Sequence, residues 1–188
     1  MAELTDEIRS FVAVRVTEGF ESEEGIIESA LETFEVDDEN EAFHREVIRF
    51  TAEKMAEHRR AQSLWESPTD CDRLDWAFEE LNRAGIVARQ NFTCCSTCGH
   101  YEIGDEIEQA QAERSVEGYV FYHMQDTESA CEAGYLYLAY GAVEEGEGAM
   151  VAVGRKIVLA LEGAGLRTEW NGQGDTRIHV SLNWQRRR

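Results

Sequence analysis

Leu4, Ile8, Phe11, Val12 and Val16 recur every three to four positions, the spacing that lines apolar side chains along one stripe of a helix. Thr5 offers a capping oxygen at its start and Gly19 a stop at its end. A second stripe, Ile26, Ile27, Ala30, Leu31 and Phe34, follows the cap Ser22. Asp38 followed by Glu41 matches a capping box and opens a third helix. That helix carries Phe43, Val47, Phe50 and Met55 on one side, with Glu46, Arg49, Glu53 and Glu57 largely on others. Residues 1–66 therefore read as an acidic helical segment, and Pro68, the sole proline, marks its end.

Beyond Pro68 the period switches repeatedly between helical and strand spacing, which predicts a second unit over residues 69–188. Thr69 caps a helix carrying Leu74, Trp76, Ala77, Leu81 and Ala84, and Gly85 ends it. Strands are predicted at 86–92, 118–124, 135–140, 166–170 and 177–184, with helices near 100–113, 127–133 and 148–162 between the first four. The segment 135–140, Tyr-Leu-Tyr-Leu-Ala-Tyr, is apolar on both faces and belongs in the middle of a sheet. Strand 177–184 alternates, with Ile178, Val180, Leu182 and Trp184 inward and Arg177, His179, Ser181 and Asn183 on a wet face. Asn171-Gly172-Gln173-Gly174-Asp175 makes the last two strands an antiparallel hairpin, while helical connections permit parallel pairing of the others. The expected fold is α/β or α+β: a mixed, mainly parallel sheet of about five strands with helices packed on it, preceded by a helical segment.

Charge narrows the partners. Asp and Glu outnumber Lys and Arg by 38 to 18, a formal charge of −20, so the surface field repels phosphate backbones and anionic lipid heads. Nucleic acid and membrane are excluded as expected partners, leaving a small molecule or another protein. The one basic cluster, Arg186, Arg187 and Arg188, reads as a solvated tail. No run approaches the roughly 18 to 20 uncharged apolar residues that cross a bilayer. The opening residues lack a basic stretch followed by an apolar one, which points to a cytoplasmic protein. The five cysteines, three of them crowded at Cys94, Cys95 and Cys98, suit a reducing compartment better than a disulfide framework.

Several stretches carry a family likeness: Gly85-Ile86-Val87-Ala88, Gly118-Tyr119-Val120-Phe121-Tyr122-His123-Met124-Gln125-Asp126, Leu138-Ala139-Tyr140-Gly141, Arg177-Ile178-His179-Val180 and Trp184-Gln185-Arg186-Arg187. Over roughly the last 110 residues, from about Leu74, the chain resembles an uncharacterised bacterial family, the domain of unknown function numbered six-eight-nine-one. The resemblance implies a shared fold and brings no catalytic residues with it.

The strongest chemical signal is Thr93-Cys94-Cys95-Ser96-Thr97-Cys98-Gly99-His100, in which Cys95 and Cys98 have the two-residue gap of a metal knuckle. A tetrahedral zinc takes four thiolate or imidazole ligands. This segment offers Cys95, Cys98 and either Cys94 or His100, with Cys71, His123 or Cys131 as distant candidates for a fourth. The same residues also suit thiol redox chemistry at a helix N-terminus, or serve as small apolar residues in a tight turn. A second constellation, a binding cleft at strand ends, comprises Asn91, Thr93, His123, Gln125, Asp126 and Tyr140. His123 with Asp126 reads either as an oriented base or as a helix cap with hydrogen bonds in the core. Gly146-Glu147-Gly148 lacks the third glycine of a dinucleotide fingerprint, and no Walker-type loop, His-Glu-x-x-His or Gly-x-Ser-x-Gly is present. With no catalytic signature, the leading expectation is a non-enzymatic accessory or binding module, and the alternative a zinc or thiol-redox protein built on Cys94, Cys95, Cys98 and His100.

Overall fold

The computed structural model describes residues 4–37 and 39–188. Asp38, half of the expected capping box, lies outside them. The chain divides into two compact units, Met1–Ser67 together with Gln185–Arg188, and Pro68–Trp184.

The first unit contains helices α1 (Asp6–Glu18), α2 (Glu23–Thr33) and α3 (Glu41–Gln62). Side-chain oxygens of Thr5, Ser22 and Asn40 accept the amides of Ile8, Gly25 and Phe43, so each helix start is satisfied locally. Ile8, Val12, Val16, Ile26, Ala30, Val47, Phe50 and Met55 form the core between the three stripes. The C-terminal arginines are not a solvated tail. Arg188 donates its amide to Gln62 Oε1 at 2.9 Å and Nη1 to the Val16 carbonyl at 3.1 Å. Arg187 reaches the Glu66 carbonyl at 3.1 Å, and the Arg186 guanidinium lies 4.1 Å from the centre of the Phe20 ring. The reason is that α1 and α3 end here, leaving orphan carbonyls that guanidinium groups satisfy well.

The second unit comprises α4 (Asp70–Arg83), β1 (Ile86–Arg89), α5 (Ser96–Gln111), β2 (Gly118–Phe121), α6 (Met124–Ala133), β3 (Tyr135–Ala142), α7 (Glu147–Gly163), β4 (Arg167–Glu169) and β5 (Ile178–Ser181). The five strands form one mixed sheet in the order β1-β2-β3-β5-β4, so the class is α+β. The doubly apolar β3 is central, as its pattern requires. The β4–β5 pair is antiparallel, as the short connection dictates.

The expectation of a mainly parallel sheet is corrected: only β1 and β2 run parallel, while β2–β3 and β3–β5 are antiparallel. The cause lies in α6. It starts three residues after β2, and Gly134, left-handed at φ 75°, turns the chain straight back. Because Phe121 pairs with Ala139, β3 begins four residues beyond the end of β2. The ten-residue helix has thus carried the chain outward by about 15 Å instead of returning it over the sheet.

Alternate residues separate the two faces. Val87, Phe121 and Ala139 pack with Ile103 of α5 on one. On the other, α4 brings the Phe78 ring to 5.7 Å from Tyr122, and Gly154 of α7 seats against Tyr140.

Candidate functional site

β1 is shorter than its apolar run because the backbone turns sharply after Arg89, with Asn91 at φ 49° and Thr93 at φ 60°. Those left-handed residues are held by the trailing end of β2. Phe92 N donates to the Tyr122 carbonyl at 2.8 Å, Met124 N to the Thr93 carbonyl at 3.1 Å, and Thr127 Oγ1 to Asn91 Oδ1 at 2.7 Å. Parallel pairing of β1 and β2 therefore places the cysteine turn and the His123 corner on one rim.

From this anchored turn the chain enters α5, which begins at Ser96 rather than near His100 and so includes Cys98. Cys95 takes the extended N-cap position, with its sulfur toward the first amides of α5. The sulfurs of Cys94, Cys95 and Cys98 all lie within 4.8 Å of one another, with Cys94 and Cys98 3.5 Å apart. Cys94 is exposed and the other two are half-buried. The Cys98 amide, then the Cys98 and Cys94 thiols and the Thr97 amide, hold Cys95 below the usual thiol range. Cys98 is pushed up to about 11, first by its sulfur contacts with Cys94 and Cys95 and then by their charge.

His100 does not join this group. Two residues past Cys98 on a helix is a rotation of about 200°, and its ring turns toward the aromatic floor, 5.2 Å from Phe121. Cys71 is buried in α4 and Cys131 lies in α6. Among the described residues no other His, Cys, Asp or Glu completes the cluster.

At the second corner, His123 and Asp126 are 5% and 6% exposed and form a reciprocal capping box on α6. His123 N donates to Asp126 Oδ2 at 3.1 Å, and Asp126 N donates to His123 Nδ1 at 3.3 Å. An accepting Nδ1 places the neutral ring's proton on Nε2, which sits 3.1 Å from Asp126 Oδ2. Burial lowers the pKa of His123; Asp126 opposes this, while Arg177 and His100 add to it. The imidazole is therefore a neutral cap at pH 7.

Arg177, which carries no site signal in the sequence, donates from Nη2 to Asp126 Oδ2 at 2.7 Å and also reaches the Tyr137 carbonyl. Its alternation signal placed it on a wet sheet face, and only the β3–β5 register carries it to the end of β2. The structure thus gathers Asn91, Thr93, His123 and Asp126, while Gln125 is exposed on α6. Tyr140 is elsewhere: it pairs with Val120 mid-sheet, and its hydroxyl donates to the Gln173 carbonyl at 2.9 Å. The antiparallel course of β3 removes it from the shared rim.

The model of the family described as a domain of unknown function (DUF6891) matches residues 1–188. The likeness therefore runs through the helical unit as well as the last 110 or so residues. No curated protein and no solved structure matches the chain.

Proposed function

The chain belongs to the family DUF6891, a membership that assigns it no chemistry, and from the geometry we propose that it is a binding module whose Cys94, Cys95 and Cys98 hold a soft, thiophilic metal ion. The observation that carries this reading is the mutual approach of three sulfurs within 4.8 Å. Zinc–thiolate bonds of about 2.3 Å in a tetrahedron set sulfurs about 3.8 Å apart. Side-chain rotations of roughly 1 Å close the difference, with the backbone left in place.

Three further features support it. The N-terminal amides of α5 favour thiolates, and a net charge of −20 concentrates cations around the chain. Three protein ligands leave one tetrahedral position open, the arrangement of a site that exchanges or presents its ion rather than burying it. Thiolates alone select zinc or a monovalent soft ion such as Cu(I) over hard cations. Binding releases the thiol protons to solvent, so affinity rises with pH. A binding role also accords with His123, whose Nδ1 serves as a helix cap rather than as an exposed base.

The test is zinc content of the full chain purified reduced and without chelator. We expect about one equivalent, lost in Cys98→Ser and in the exposed-site variant Cys94→Ser, with circular dichroism unchanged in the latter. Less than about a tenth of an equivalent, or equal retention by both variants, overturns the proposal.

A further inference from the structure

A separate cavity of about 250 Å³ is lined among others by His100 and Tyr119, by Tyr140 and Met150, and by Asp175 and Arg177 of the segment leading into β5. Glycines let two of its wall side chains, Tyr119 and Met150, lie close against the backbone. A Cβ on Gly141 would stand 2.7 Å from the Tyr119 ring and hydroxyl, and one on Gly174 would stand 2.8 Å from Met150 Cβ. The volume is below the usual 300 to 1,000 Å³ of drug-sized sites, which limits the occupant to a small metabolite.

What distinguishes this cavity is its unused hydrogen-bonding capacity. Arg177 commits Nη2 to Asp126 and the Tyr137 carbonyl, while Nη1 and the buried Nε have no partner among the described residues. The guanidinium is fixed by those bonds and by the Tyr137 ring 5.7 Å away, so its remaining donors are held in place. The Tyr119 hydroxyl has no partner among the described residues, and burial raises its pKa, keeping the proton available for donation. The His100 ring, 6.4 Å from that of Tyr119, makes ring contacts but no hydrogen bond among the described residues. The lining also carries the carboxylate of Asp175, whose Oδ1 accepts from Thr176 at 3.3 Å and whose Oδ2 has no partner among the described residues.

Donors for an anion and an acceptor for a cation in so small a space fit a molecule with both charges. We propose that this cavity binds a small zwitterion of the α-amino-acid class, its carboxylate on Arg177 and Tyr119 and its ammonium on Asp175. A simple anion is disfavoured, because Asp175 and the surrounding negative field repel it. A simple cation leaves the Arg177 charge facing it.

The experiment titrates glycine, L-leucine and L-phenylalanine one at a time into the isotopically labelled full chain, with chelator present so that the thiol site plays no part. At least one should saturably shift the amides of Ala139, Gly174 and Arg177. Amidating the carboxylate or acetylating the amine of that ligand should each weaken binding about tenfold or more, as should Arg177→Gln. Because Arg177 also supports Asp126, Tyr119→Phe is the second variant, expected to weaken binding several-fold with the spectrum otherwise preserved. The inference is overturned if none of the three saturates those signals, if a singly blocked ligand binds as well as its parent, or if Tyr119→Phe leaves affinity unchanged. Loss of zinc binding in the thiol variants has no bearing on any of these outcomes.

Discussion

Gly99 sets how closely α5, and with it the thiol cluster, approaches the sheet. A Cβ built there would lie 2.4, 2.8 and 3.2 Å from three atoms of the Phe121 ring, against ordinary contacts of 3.4 to 4 Å. The ring has nowhere to swing: Phe121 is fully buried and packed edge-on by Phe92 and His100, with Tyr119 stacked beside it. Gly99→Ala therefore forces about 1 Å of movement between helix and sheet. Overpacking of this kind costs about 1 to 3 kcal/mol, and so severe an overlap belongs near the top of that range. Helix propensity returns about 1 kcal/mol, because Gly99 lies within α5. The net expectation is a loss of about 1 to 2 kcal/mol, or about 4 to 8 °C in Tm. Gly104 is the internal control: it occupies the same helix with nothing within 4 Å of its Cβ position, so Gly104→Ala should gain about 0.5 to 1 kcal/mol. Denaturant unfolding followed by tryptophan fluorescence reports mainly the α+β unit, which holds Trp76, Trp170 and Trp184. Equal stability of the two variants would refute the close-packing argument.

Other expectations follow from the same contacts. Asp126→Ala leaves the Arg177 guanidinium and the His123 amide without their shared acceptor and should cost about 2 to 4 kcal/mol by denaturant unfolding; a loss under about 0.5 kcal/mol would show the capping network to be incidental. His123 and His58 both have pKa values lowered from 6.5, chiefly by burial, so the unfolded chain binds more protons than the folded one just below that value. Their stabilisation is thus present above about pH 6.5 and lost as the pH falls from there through the lower folded value, and His123→Asn should flatten that slope in unfolding measured from pH 7.5 to 5. Deleting residues 185–188 removes the Arg186–Phe20 contact and the bonds to the Val16 and Glu66 carbonyls, and should destabilise the helical unit by about 2 to 4 kcal/mol, read by hydrogen exchange in α1 and α3.

Much of the fold was written in local patterns. Thr5, Ser22 and Thr69 cap their helices because a short oxygen before an apolar stripe has few competing uses. The central place of Tyr135–Ala142 follows from its having two apolar faces. Strand direction was not legible, since a ten-residue helix serves a parallel crossover or an outward excursion equally well, and Gly134 alone does not decide between them. The thiol cluster was legible as a spacing, but the exclusion of His100 depended on α5 starting at Ser96. Arg177 was invisible as a site residue because its role depends on β5 register, a long-range property. The docking of Arg186–Arg188 was likewise hidden, because it satisfies the Val16 and Gln62 carbonyls at helix ends more than a hundred positions away.

Whether Cys94, Cys95 and Cys98 share one ion is read from the coordination shell of the metal itself. X-ray absorption at the zinc edge, on the full chain loaded with about one equivalent, counts them directly. A shared ion gives three sulfurs at about 2.3 Å and one lighter ligand; a shell of nitrogen and oxygen alone, or of two sulfurs or fewer, rules it out.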